Sequence, residues 1–136
     1  MAKKKVNVAI VGGSFMGKAH SNAWRKVGMF FDPPVEPVMK VLCDKDPGML
    51  ANAASYGWEE TAEDYKEVCA RDDIDIIDIC TPNFLHPPIA MEAAKNGKAV
   101  ICEKPLANTL KEAEQMQDAV KKAGVKHMCG FSYRFA

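Results

Sequence analysis

A doubly wound, mostly parallel α/β sheet forming a single domain is the fold the sequence predicts, and three observations predict it. Short apolar runs alternate with segments of helical period along the whole chain. The runs stop at glycine or proline turns or at helix-capping residues. The length of 136 residues suits one compact core and falls short of two. Strand and helix signals in strict alternation build a parallel sheet covered on both faces.

Each element has its own warrant. Residues 6–11 form an apolar run closed by Gly12-Gly13, the pattern of a buried strand. Residues 15–27 are helical in period, and residues 30–37, "FFDPPVEP", read as a proline-rich loop before a strand over 38–43. Asp46-Pro47 reads as an N-cap followed by proline in the first turn, with a helix reaching Tyr56. Thr61 to Asp64 resembles a capping box opening a further helix.

Residues 74–80 are the strongest strand, rich in isoleucine and interrupted by Asp78, which is either a buried, hydrogen-bonded carboxylate or a strand-end group near a cleft. Pro87 and Pro88 fit the first turn of a helix that Gly97 ends. A strand follows over 98–102. Thr109 and Glu112 make a capping box, and Leu110, Ala113, Met116 and Val120 lie on one face of the helix it opens. Gly124 stops that helix before a last strand at 126–129.

Composition narrows the function classes. Apolar residues make up 48% and charged ones 26%, which fits a globular domain and not a disordered one. The formal net charge of +0 lacks the basic excess that nucleic acid or a membrane surface demands, and Lys3 to Lys5 read as a solvated tail. No stretch approaches a membrane span or a secretion signal, so a cytoplasmic location is expected. The five cysteines, Cys43, Cys69, Cys80, Cys102 and Cys129, show no C-x-x-C pair. They are expected to be buried, reduced thiols, and no metal site is expected from them with His20, His86 and His127. His20, on the first helix, is expected to serve as packing or polar filling.

The first turn carries chemistry. In "GGSFMG", Gly12, Ser14 and Gly17 occupy the three positions of the dinucleotide fingerprint, with serine at the second. Such a turn sets a helix N-terminus against a pyrophosphate, and Phe15 and Met16 fall inside it. If the second position needs a left-handed backbone, serine there costs about 1–2 kcal/mol. A carboxylate at the end of the second strand would hold the adenosine ribose hydroxyls. Asp44 stands there, farther along than the usual ~20 residues because the proline-rich loop intervenes. Its charge would repel a 2′-phosphate, so NAD is expected over NADP.

Two further motifs end strands: "CTPNFLH" (80–86) and "CEKP" (102–105). With the glycine turn and Asp44 they resemble the glucose–fructose oxidoreductase and inositol dehydrogenase (Gfo/Idh/MocA) family over nearly the whole chain. "GFSYRF" (130–135) is similar to the passage where members leave the nucleotide-binding domain.

The resemblance implies a Rossmann-like domain over 1–130. Residues 131–136 would begin the connection to an α+β substrate domain that this chain does not include. It implies an NAD(P)-dependent oxidoreductase acting on a sugar or cyclitol hydroxyl. Thr81, Pro82 and Asn83 would line the nicotinamide ribose side of the cleft, with His86 at the turn or helix start beside them. Glu103 and Lys104 would sit at the nicotinamide. Lys104 would be catalytic, reaching both cofactor and substrate hydroxyl, and Pro105 would fix the turn that aims them.

A non-catalytic nucleotide sensor on the same fold is the alternative, and an intact E-K-P favours the enzyme. The full-length protein is expected to be a homo-oligomer. This chain alone is expected to keep partial cofactor affinity and little turnover. Phe131, Tyr133 and Phe135 alternate and are expected to share one face of an extended segment that needs cover.

Overall fold

The computed structural model describes residues 2–135. Its six strands form one parallel sheet in the order β3-β2-β1-β4-β5-β6. The strands are β1 (Lys4–Val11), β2 (Val35–Cys43), β3 (Glu60–Ala62), β4 (Ile76–Ile79), β5 (Ala99–Glu103) and β6 (His127–Gly130). The order reverses direction at β1, which pairs with β2 on one side and β4 on the other. Open parallel sheets of this kind bind ligands outside the strands' carboxyl ends at that reversal.

Alternation along the strands feeds two cores. Ala9, Val11, Ile77, Ile79, Val100 and Cys102 face helices α4 (Tyr65–Ala70), α5 (His86–Lys95) and α6 (Leu110–Ala123). Val8, Ile10 and Leu42 face α1 (Phe15–Phe30) and the short helices α2 (Pro47–Leu50) and α3 (Ala53–Tyr56). Cover on both faces explains why the buried end of β1, Val8 to Val11, reads as one unbroken apolar run.

Several sequence expectations change. The helix expected from Asp46 to Tyr56 is two short helices, with Asp46 capping the first by accepting from the Gly48 N–H. The helix expected from Thr61 is instead strand β3. Ala62 pairs with Cys43, and its carbonyl accepts from the Asp44 N–H, so sheet pairing overrides the local cap. The helix starts only after Asp64, which caps it through the Lys66 N–H. Strand β2 begins inside the expected loop and contains Pro37. β3 pairs with β2 only from Val41 onward, so Pro37 lies where β2 is an edge and its missing N–H costs no ladder bond.

Leu110 is exposed, whereas Met116 and Val120 of the same helix are buried. Phe131, Tyr133 and Phe135 do not share an extended face. Ser132–Phe135 is a 3-10 turn, and all three aromatics are exposed. Ala136 lies outside the described residues. No described helix is long and apolar enough to cross a membrane. All five cysteines are free thiols, four of them buried.

Candidate functional site

The glycine turn is built by two close approaches. Gly12 takes φ +100°, and a Cβ there would stand 2.7 Å from the Cys80 carbonyl group and 2.8 Å from the Thr81 nitrogen. The end of β1 therefore lies directly against the end of β4. A Cβ on Gly17 would stand 1.9 Å from the Gly12 carbonyl oxygen, so helix α1 packs onto the turn at a distance only glycine permits.

Ser14, at the middle position, has φ −77°. The left-handed strain anticipated for it is therefore absent. Ser14 instead caps α1, its Oγ accepting from the Phe15 N–H at 2.7 Å. The next N–H groups of the first turn have no acceptor within the helix, and the helix dipole adds positive character there. Phe15 is exposed, and Met16 packs toward the α1-side core.

Asp44, at the end of β2, reaches across to this turn. Its Oδ2 accepts from the Gly13 N–H at 2.7 Å and its Oδ1 from the Asp46 N–H at 2.9 Å. A carboxylate has about four acceptor positions, so capacity remains for a ligand hydroxyl. Gly12, Ser14, Asp44, Thr81 and Pro82 line one cleft of about 390 Å³, floored by Leu85 and Ile89. Thr81 Oγ1 is buried there with no hydrogen-bond partner among the described residues. An unpartnered buried hydroxyl at a cleft has hydrogen-bonding capacity that a polar ligand or a bound water can complete. The glycine cradle, the free acceptor capacity of Asp44 and the orphaned Thr81 hydroxyl together fit a dinucleotide.

The other expected residues divide. Pro82, Asn83 and Lys104 are exposed, and Asn83 and Lys104 are not part of the cleft wall. The Lys104 ammonium has no ion-pair partner among the described residues. His86 is buried, with its ring nitrogens 2.8 Å from the Pro105 carbonyl oxygen and 2.9 Å from that of Thr81. It therefore braces the T-P-N turn against the E-K-P turn, and neither ring nitrogen is left for a ligand. Glu103 also faces away from the cleft. It is 6% exposed, with Oε1 2.9 Å from His20 Nε2 and Oε2 accepting from the Lys104 N–H at 3.1 Å.

Sequence reasoning undervalued His20. Its Nδ1 lies 3.0 Å from both oxygens of Asp78, and the Trp24 indole N–H donates to Asp78 Oδ2 at 2.8 Å. Asp78 is thus the buried, hydrogen-bonded carboxylate of the two readings open for it. An acid within an isoleucine strand was the available signal, since a buried carboxylate demands a partner across the sheet face. His20, Asp78 and Cys80 place their potential ligand atoms within 4.8 Å of one another. Both imidazole nitrogens are already committed to carboxylates, however, and burial with the neighbouring Asp78 pushes the Cys80 thiol up, away from the thiolate a metal needs. Burial likewise pushes Cys43, Cys69 and Cys102 up to about 12, so these thiols are inert packing groups at neutral pH.

Known proteins share this sequence pattern and fold. Levoglucosan dehydrogenase of Pseudarthrobacter phenanthrenivorans is 47% identical over 133 residues, covering 96% of this chain and 34% of that protein. The scyllo-inositol 2-dehydrogenase (NAD(+)) of Bacillus subtilis is 37% identical over 102 residues, covering 73% of this chain and 30% of that protein. A solved structure of levoglucosan dehydrogenase in complex with NADH and levoglucosan superposes with a TM-score of 0.92 at 46% identity, covering 96% of this chain and 36% of that one. The chain thus spans about a third of the length of the relatives it matches. The family model described as "Oxidoreductase family, NAD-binding Rossmann fold" matches residues 6–131. With the strand order, the glycine cradle and the strand-end acid all in place, the chain belongs to the Gfo/Idh/MocA family of NAD-binding oxidoreductases.

Proposed function

We propose that the chain is the NAD-binding domain of a dehydrogenase that moves a hydride between a hydroxyl-bearing carbon of a sugar or cyclitol and a nicotinamide. In this reading residues 1–130 are the nucleotide-binding unit and 131–136 lead toward a substrate domain. The observation that carries it is the convergence of three strand ends on one cleft: the Gly12 turn, Asp44, and Thr81 with its unpartnered hydroxyl. The relatives named above, one bound to NADH and levoglucosan and one named for NAD(+), support the cofactor and the substrate class.

Within that reading the α1 N-terminus and the Gly12 turn hold the pyrophosphate. Asp44 takes the adenosine ribose and disfavours a 2′-phosphate. Thr81, Pro82 and Asn83 border the nicotinamide ribose. The bound nicotinamide supplies the hydride chemistry, and the protein supplies orientation and charge. Lys104, an exposed ammonium beyond the β5 end, stabilises the alkoxide that develops on the reacting hydroxyl.

Calorimetric titration of this chain with NAD should show binding. Asp44→Ala should weaken it by about 10- to 100-fold, the value of a hydrogen bond to a charged group. Absence of binding at millimolar NAD would remove the reading. In the whole protein, Lys104→Ala should lower kcat by about 10²–10³-fold, the range for losing one charge-stabilising donor, and leave the NAD dissociation constant within about twofold. Unchanged turnover in that variant would reassign the catalytic group.

A further inference from the structure

The site described above leaves one cluster without a role. His20, Asp78 and Glu103 come from α1, β4 and β5 and meet on the α1 face of the sheet. The carboxylates are 1% and 6% exposed. Each His20 nitrogen faces a carboxylate oxygen, at 3.0 Å on one side and 2.9 Å on the other. A neutral imidazole carries one N–H and would point a lone pair at one of these anions. Only the imidazolium donates to both. It also sets one cation between two buried anions that would otherwise repel each other.

The cluster connects to the proposed chemistry at one atom. Glu103 Oε2 accepts from the backbone N–H of Lys104 at 3.1 Å. On the far side, β6 makes room for the carboxylate at Gly130, where a Cβ would stand 2.8 Å from Glu103 Oε1. On the near side, His20 lies on the helix that opens at the glycine turn, three positions after Gly17, whose backbone touches Gly12. One continuous run of contacts therefore joins the phosphate-binding turn to the residue carrying the ammonium.

We propose that His20, as an imidazolium bridging Asp78 and Glu103, is a positioning residue that holds the Lys104 turn in place relative to the glycine turn. This rests on the reading of Lys104 as the group beside the reacting hydroxyl. His20 touches neither the cofactor cleft nor that ammonium and acts through Glu103.

The surroundings favour the charged form. The hydrogen bond to Asp78, then the charges of Asp78 and Glu103, outweigh burial and push His20 up to about 9. The other titratable groups at the cluster are Cys80 on β4, Cys102 on β5 beside Glu103, Cys129 on β6 near Glu103, and Lys26 on α1, which lines the adjoining hollow. All three thiols are pushed up by burial and by the neighbouring acids, so they stay neutral while His20 is charged. Above its titration the cluster holds two buried anions without their cation, and Glu103 can no longer hold the Lys104 amide as it did.

Nitrogen-detected NMR of the 136-residue chain tests the linkage without cofactor or turnover. His20 should show two protonated ring nitrogens at pH 7 and titrate near 9, and the Lys104 amide resonance should move with the same midpoint. A single-N–H imidazole at pH 7, or a Lys104 amide that ignores the titration, overturns the proposal. In the whole protein, His20→Gln should lower kcat by about 10- to 100-fold, the cost of a reacting group displaced by about an ångström. It should spare the NAD dissociation constant and remove a kcat transition near pH 9. His20→Gln turnover equal to wild type across that range, in a protein where Lys104→Ala is impaired, also overturns it. If Lys104→Ala itself is unimpaired, the catalytic reading of Lys104 fails and the positioning role falls with it, a result the NMR midpoints distinguish from a failure of the linkage.

Discussion

Gly17→Ala is expected to cost the domain at least about 3 kcal/mol, beyond the usual range for an overpacked site, and to abolish NAD binding. The added Cβ would lie 1.9 Å from the Gly12 carbonyl oxygen and 2.9 Å from its carbon. Both are backbone atoms, so no rotamer change relieves the clash. Helix α1 must retreat, and it is tied in place. Ser21 Oγ donates to the Gly17 carbonyl oxygen at 2.7 Å, and the buried Trp58 indole donates to Ser21 Oγ at 2.9 Å.

The same substitution elsewhere in α1 supplies the control. A Cβ at Gly28 meets nothing within 4 Å, so Gly28→Ala should stabilise by about 0.8 kcal/mol through helix propensity alone. Urea unfolding of the two variants should give opposite signs. A Gly17→Ala protein within about 1 kcal/mol of wild type, less than any overpacked backbone contact should cost, would mean that the turn and helix are not packed as described.

Between pH 7 and pH 10 the domain should lose up to about 3 kcal/mol of stability from one histidine, at about 1.4 kcal/mol per pKa unit. His20 is raised from 6.5 to about 9 in the folded state, with Asp78 the leading cause. A group whose folded pKa is raised binds its proton more tightly in the native state. Its contribution is therefore complete below the unfolded value of 6.5 and disappears as pH climbs through 9. Urea midpoints measured from pH 6 to 10 should fall from about pH 7 in the wild type, whereas in His20→Gln they should fall only toward pH 9 and above, where the buried thiols common to both proteins titrate in the unfolded chain. The difference between the two proteins removes the contribution of the thiols, lysines and tyrosines common to both. Parallel curves would show that His20 folds without its two counterions.

How far the site could be read in advance depended on sequence distance. The spacing of Gly12, Ser14 and Gly17 within one turn is local, and so is the cap at Thr109, where side chain and backbone bond reciprocally with Glu112 as expected. Asp44 was legible because a strand end in a parallel sheet has one place to go, whatever the length of the loop before it. The direction of Glu103 was open to a period-two argument. Cys102 faces the α5–α6 core, so its neighbour must face α1, not the cleft. His20 was beyond reach of any local argument, since Asp78 and Glu103 lie 58 and 83 residues away. The same holds for β3, whose three residues carry a plausible helix cap and become a strand only because β2 offers an unpaired edge.

Local chemistry alone determined that this chain would wind strand and helix alternately, end its strands on a glycine turn, an aspartate and a lysine turn, and offer a dinucleotide the first two. Period, capping and turn geometry act over a few residues and need no knowledge of the rest. Tertiary structure decided which way each strand-end side chain faces and which charges meet. It turned Glu103 and His86 from cleft residues into supports and made His20 the cation between two buried acids. Burial and electrostatic pairing are properties of groups brought together in space, and they arise only once the sheet has assembled.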